Sequence, residues 1–143
     1  MIDYKPNAEI IWLEDVKAIQ VRWLKLHMKM ELFQEIAGKA FEVMSKNNGS
    51  IWIADMYDSQ GVFPKDIMEY ISADETTQAS ISIGLKWALT VMPKASGLAS
   101  LSTKSWNKSV DDLNAFVVEQ FPDLDTCKEW ILKQQSILRS EAS

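Results

Sequence analysis

Cysteine and histidine are nearly missing from this chain: Cys127 and His27 are the only ones among 143 residues. An internal disulfide is therefore excluded, and a lone thiol suits a reducing compartment, so the cytoplasm is the expected location. Paired Cys or His ligands for a metal do not exist here. A nucleophile–histidine triad would have to centre on His27, which stands between Lys25 and Lys29 and far in sequence from any pair of acids. Glycine is scarce as well, five in all, and no glycine-rich phosphate loop occurs. Lysine and arginine are scattered without a basic run, and the net charge of −5 speaks against a nucleic-acid partner. No apolar stretch approaches membrane-spanning length, and Met1-Ile2-Asp3-Tyr4-Lys5-Pro6 has no apolar signal core. No membrane span, metal or cofactor is expected, and no residue stands out as catalytic.

What the chain does have is a hydrophobic content of 47%, average for a globular protein, in a length that suits one domain over residues 1–143. Glu9 to Glu14 reads as a first strand and Asp15-Val16-Lys17 as a tight turn. Ala18 to Leu24 then alternates, with Ile19, Val21 and Trp23 on one side and Gln20 and Arg22 on the other. This marks a half-covered strand paired antiparallel with the first. From Met28 to Lys46 the period becomes helical, with Leu32, Phe33, Ile36, Ala37, Ala40, Phe41 and Met44 in one stripe, and Asn47-Asn48-Gly49 supplies a left-handed stop. Ile51-Trp52-Ile53-Ala54 has the branched and aromatic makeup of a strand buried on both faces.

The polar stretch after that strand, Asp55-Met56-Tyr57-Asp58-Ser59-Gln60-Gly61, lies where open α/β sheets place binding sites. Asp55, Tyr57, Asp58 and Ser59, together with Trp52, are the candidate binding residues. Pro64 suits a first helical position, Ile67, Met68 and Ile71 give a short apolar face, and Ser72-Ala-Asp-Glu75 matches a capping box. Two short helices or one kinked helix are expected, ending before Gly84. Lys86 to Val91 alternates again, with Trp87, Leu89 and Val91 inward and the small Ala88 and Thr90 on an exposed face like that of the second strand. Residues 94 to 111 are hard to read, although Leu98, Leu101 and Trp106 could line a short helix. Ala115 to Gln120 reads as a last strand, and Asp123 as the N-cap of a final helix with Leu124, Cys127, Ile131 and Leu138 inward; the tail from Arg139 is expected to fray. The sum is an α/β fold: a mixed five-stranded sheet, an N-terminal antiparallel hairpin followed by β-α repeats, with about four helices mainly on one face.

Four of the six tryptophans, Trp12, Trp23, Trp52 and Trp87, fall one to each of the first four strands. They could fill the core, or line an apolar pocket or a partner face. Trp23 and Trp87 share the inward register, so one face of the strand at 51–54 lies on the side where Gln20, Arg22 and Thr90 point and adds an apolar patch to the open side of the sheet. A homodimer is the simplest cover for such a patch.

The element order, the hairpin ending in Val21-Arg22-Trp23, and Ile51-Trp52-Ile53-Ala54-Asp55 before its turn resemble small bacterial STAS-like proteins. So do Gly84-Leu85-Lys86 and the helix through Glu129-Trp130-Ile131. These are relatives of the anti-sigma-factor antagonists, with the SpoIIAA-like fold. The resemblance implies a non-catalytic regulatory or protein-interaction module, binding partner proteins or small apolar ligands. The antagonist branch carries an Asp-Ser pair whose serine is phosphorylated, and Asp58-Ser59 is similar, though displaced beyond the strand end and followed by Gln60. By this resemblance Ser59 is a phosphorylation candidate. Two readings of function follow: a regulatory module acting on a protein partner or on itself, or a binder or sensor of a small, lipid-like apolar ligand.

Overall fold

The computed structural model describes residues 1–94 and 117–142. A six-stranded sheet runs in chain order: β1 (Ile2–Tyr4), β2 (Ala8–Leu13), β3 (Ala18–Trp23), β4 (Ile51–Asp55), β5 (Trp87–Val91) and β6 (Val117–Phe121). The first three form an antiparallel meander, and β3 through β6 pair in parallel. The architecture is the expected mixed α/β sheet with one more strand than the sequence suggests. That strand, β1, has three residues and too little alternation to be read. Its register places Ile2 opposite Ile10 and Tyr4 opposite Ala8. Residues 95–116, including the proposed segment of Leu98, Leu101 and Trp106 and the start of the last strand at Ala115, lie outside the described residues.

The helices are α1 (Met30–Lys46), α2 (Lys65–Ser72), α3 (Asp74–Ser82) and α4 (Leu124–Ala142). α1 buries Phe33, Ile36, Ala40 and Met44 against the sheet and leaves Ala37 and Phe41 half-buried at the edge of the same stripe. Its stop is shared between two residues. Asn48 takes the left-handed backbone (φ 55°), and the Gly49 N–H donates to the Met44 carbonyl at 2.8 Å. Gly49 is required for another reason: a Cβ there would lie 2.8 Å from the Trp12 ring and 3.1 Å from Met44 Cγ. α2 and α3 are the two short helices, divided at the extended Ala73 (ψ 137°). The capping box at Ser72–Glu75 does not form, because Ser72 closes α2 and Ala73, which has no side-chain oxygen to offer, precedes α3. Pro64 stands one position before α2 rather than inside it. On α4 the expected cap is present, with Asp123 Oδ1 accepting from the Thr126 N–H at 2.7 Å.

Side chains opposite one another on a ladder share a face, and this decides what the sheet covers. One face carries Ile10, Ile19, Val21, Trp23, Trp52, Ala54, Ala88 and Thr90, and packs under α1 and α2. The other carries Ala18, Ile51, Ile53, Trp87, Leu89, Val91, Val117 and Phe121, and packs against Cys127, Trp130 and Ile131 of α4. Three of the four described helices thus follow the crossovers on one side, and the last crosses to the other. Trp23 and Trp87 are both buried but on opposite faces, so the shared register expected for them is wrong. The period of two is read correctly along each strand, but the register between strands is invisible in the sequence. The half-covered strand is also corrected: Gln20 is only 4% exposed. Gln20 is bonded to Asp55 beneath this face, while Arg22 stays half-buried between its two carboxylate partners.

Gly49→Ala should lower stability by roughly 1–3 kcal/mol, the usual cost of forcing a methyl into a filled site. Urea denaturation followed by far-UV circular dichroism checks this; an unchanged midpoint would refute the Trp12 contact.

Candidate functional site

The turn after β4 separates two hollows, and the sequence-predicted residues divide between them. Backbone hydrogen bonds hold this turn from both sides. Gln60 N–H donates to the Leu24 carbonyl at 2.7 Å and Leu26 N–H to the Gln60 carbonyl at 3.1 Å, which ties it to the exit of β3. Met56 N–H donates to the Val91 carbonyl at 2.9 Å and Lys94 N–H to the Tyr57 carbonyl at 3.0 Å, which ties it to the exit of β5. Gly61 (φ 80°) then turns the chain toward α2 in a conformation that side chains disfavour.

The smaller hollow, about 190 Å³, lies at the C-terminal ends of β4 and β6 and is lined by Asp55, Tyr57, Asp58, Asp123, Leu124 and Asp125. It occupies the strand-end position that such sheets favour, yet three of its four acids, Asp55, Asp58 and Asp123, are already engaged. Asp55 accepts from Gln20 Nε2 at 2.8 Å and from the Tyr57 N–H at 3.0 Å. Asp58 accepts from Arg22 Nη2 at 2.7 Å, while Arg22 Nη1 donates to Glu9 at 2.6 Å. Asp58 first and Glu9 second hold the Arg22 guanidinium above its ordinary pKa. Asp123 is spent on capping α4. Among the described residues no group of three or more metal-ligating side chains converges. These polar groups fasten the turn to the sheet; they do not converge on a reacting atom.

The larger hollow, about 1060 Å³, lies between the first face of the sheet and α1, α2 and α3. Ala54, Ala88 and Thr90 form its floor, and their small size is what leaves the space. Trp52 stands beside them, its ring 4.7 Å from that of Phe41 on α1. At the other end Trp23 stacks on Phe33 at 5.3 Å, and Phe63 meets both rings edge-on. Met68, Ile71 and Ile83 line it from the helical side although they stay well exposed, as does Val62 in the loop before α2. α2 buries only Ile67 and α3 buries nothing.

Of the five candidate residues, Trp52 and Ser59 line the large cavity, whereas Asp55, Tyr57 and Asp58 line the small hollow. Ser59 is half-buried at the boundary, and the guanidinium bound to Asp58 places a cation beside the acids of the turn. The apolar patch expected on an open face is instead the wall and floor of this cavity. Thr90, taken to point with Gln20 and Arg22, points to the opposite side. Sequence reasoning missed Phe41, Ala88 and Thr90 as lining residues. The signal was present in the small residues alternating along β5, but it was read as a solvent face. His27 is exposed. Cys127 is fully buried, and its thiol is pushed up to about 12 by burial, then by Asp55 and Asp123.

No family model matches the chain, and no curated protein or solved structure compared with it matches either. No helix among the described residues is long and apolar enough to cross a membrane.

Two outcomes follow from the polar fastening and the thiol. Arg22→Met should cost roughly 1–3 kcal/mol by leaving the buried Glu9 carboxylate only the longer contact to Lys5 at 3.6 Å, and adding Glu9→Gln should restore part of that loss. A double-mutant cycle in urea tests it, and strict additivity would refute the coupling. With about a thousandfold less thiolate than a cysteine at the ordinary value of 9.0, Cys127 should react with an aromatic disulfide only on unfolding. Rapid labelling of the native protein at pH 8 would contradict its burial.

Proposed function

We propose that this protein binds a small apolar molecule in the cavity between its sheet and α1–α3, without catalysing a reaction. The cavity carries the reading. Its volume of about 1060 Å³ is at the upper end of the ~300–1,000 Å³ typical of ligand pockets, and aromatic and aliphatic side chains dominate its lining. Catalysis is disfavoured by the groups available: an exposed histidine, a protonated buried thiol, and acids bound to Gln20, Arg22 and the start of α4. The meander followed by β-α units supports kinship with STAS-like proteins, for which apolar ligands are one of the implied roles. A free buried thiol fits a cytoplasmic setting.

A regulatory role through the turn is the second reading. Its favouring observation is that Tyr57, Asp58 and Gln60 are exposed while Ser59 borders the cavity, so one short segment faces both a possible partner and the ligand space. Under this reading a change at Ser59, including phosphorylation, alters both surfaces at once. A homodimer would then form around the turn rather than through an open sheet face.

The test uses a neutral dye, N-phenyl-1-naphthylamine, whose emission rises on entering an apolar site. The wild-type protein should bind it, and Ala88→Phe, which fills the cavity floor, should weaken binding at least ~10-fold with an unchanged circular dichroism spectrum. Equal binding by a folded Ala88→Phe variant would sink the proposal. Native mass spectrometry of protein purified from its own host should show the added mass of a small ligand.

A further inference from the structure

The cavity lining is selective in charge as well as in polarity. The chain carries 15 Lys and Arg and 20 Asp and Glu, yet no described residue lining the cavity is charged. The acids nearest in sequence turn away through the sheet. Asp55 and Asp58 point with Gln20 and Arg22 to the opposite face, and the turn that carries them sends only Met56, Ser59 and Gly61 toward the cavity. On α1, Lys39 is paired with Glu42 at 3.3 Å, leaving Ala37, Gly38 and Phe41 to face the cavity.

The described polar residues that line it, Tyr70 among them, carry neutral groups. Gln34, Ser59, Thr76 and Thr90 make no side-chain hydrogen bond to any described residue. Ser80 and Thr77 donate their hydroxyls to the carbonyls of Thr76 and Ala73, at 2.9 and 3.5 Å, which leaves their oxygen lone pairs open to a donor. Such groups can bind a hydroxyl, a carbonyl or an ester. They cannot neutralise a carboxylate or an ammonium, and an ion moved into apolar surroundings without a counter-charge loses its hydration uncompensated.

We infer that the ligand of this cavity is electrically neutral: a hydrocarbon body carrying hydroxyl, carbonyl or ester oxygen, and neither a fatty-acid anion nor a cationic amphiphile. This rests on the reading that the cavity binds an apolar molecule, and it adds the head-group chemistry. Gln34 is exposed at the α1 edge, and Thr90 lies half-buried on the floor, so neutral polar groups occur both at the edge and at the base. A ligand with one oxygen function at an end, or with one at each end, meets a hydrogen-bonding group in either orientation.

The experiment is displacement of N-phenyl-1-naphthylamine from the wild-type full chain at pH 8 by three ten-carbon compounds, each below its aggregation concentration: decan-1-ol, decanoate and decyltrimethylammonium. Decan-1-ol should displace the dye at a concentration at least ~10-fold lower than either ion. Displacement by decanoate or decyltrimethylammonium at equal or lower concentration overturns the neutral-ligand inference and leaves the cavity reading standing. Displacement by none of the three, with the dye bound, also overturns it. If the dye does not bind at all, the cavity reading itself fails and this inference falls with it.

Discussion

The structure depends on β4 being buried from both sides at once. Ile51, Ile53 and Asp55 face α4, while Trp52 and Ala54 face α1. Every other layer takes its position from that two-sided contact. β3 and β5 pair with β4 in parallel, so helical crossovers must return the chain over one face, and that is where α1, α2 and α3 are found. The opposite face is then left for the last helix. A strand in this position can end in a polar group only if the group is fully bonded, and Asp55 is, by Gln20 and the Tyr57 N–H. The requirement to satisfy that carboxylate sets the course of the turn, and the turn sets the division between the two hollows.

The size of side chains along the first face of the sheet explains where the space lies. From β3 to β5 the face goes from Val21 and Trp23, through Trp52 and Ala54, to Ala88 and Thr90. Large side chains meet α1 directly near β3. Toward β5 the sheet offers little bulk, and the helices above contribute Ala37, Gly38 and Ala79. Small residues facing small residues cannot close the gap between a sheet and a helix layer. The Phe41–Trp52 pair holds the two layers apart beside that gap.

Much of this was legible in the sequence and some of it could not be. The α1 stripe, the cap at Asp123 and the burial of Cys127 are local or periodic features, and each appears where its pattern places it. The face shared by two strands is not local. Trp23 and Trp87 looked equivalent because each alternates with smaller or polar neighbours, and only the ladder shows that they point apart. The same limit hid the cavity. Ala88 and Thr90 resemble a wet surface, since smallness and mild polarity mark a water-facing position and a cavity floor alike. Arg22 seemed solvent-directed until its two carboxylate partners, distant in sequence, were brought to it by the fold.

α3 has no buried residue, and its hydroxyls at Thr77, Ser80 and Ser82 bond back to its own backbone rather than outward. A helix of nine residues without a packed face has little intrinsic stability in water. α2 adds a single buried anchor, Ile67. The stretch from Lys65 to Ser82 therefore belongs to the low end of the range of local opening energies, while β3, β4, α1 and α4 carry the cooperative core. Among the described residues, the wall of the cavity and the least anchored helical segment are the same. That segment can open sub-globally at a rate set by two short helices rather than by global unfolding.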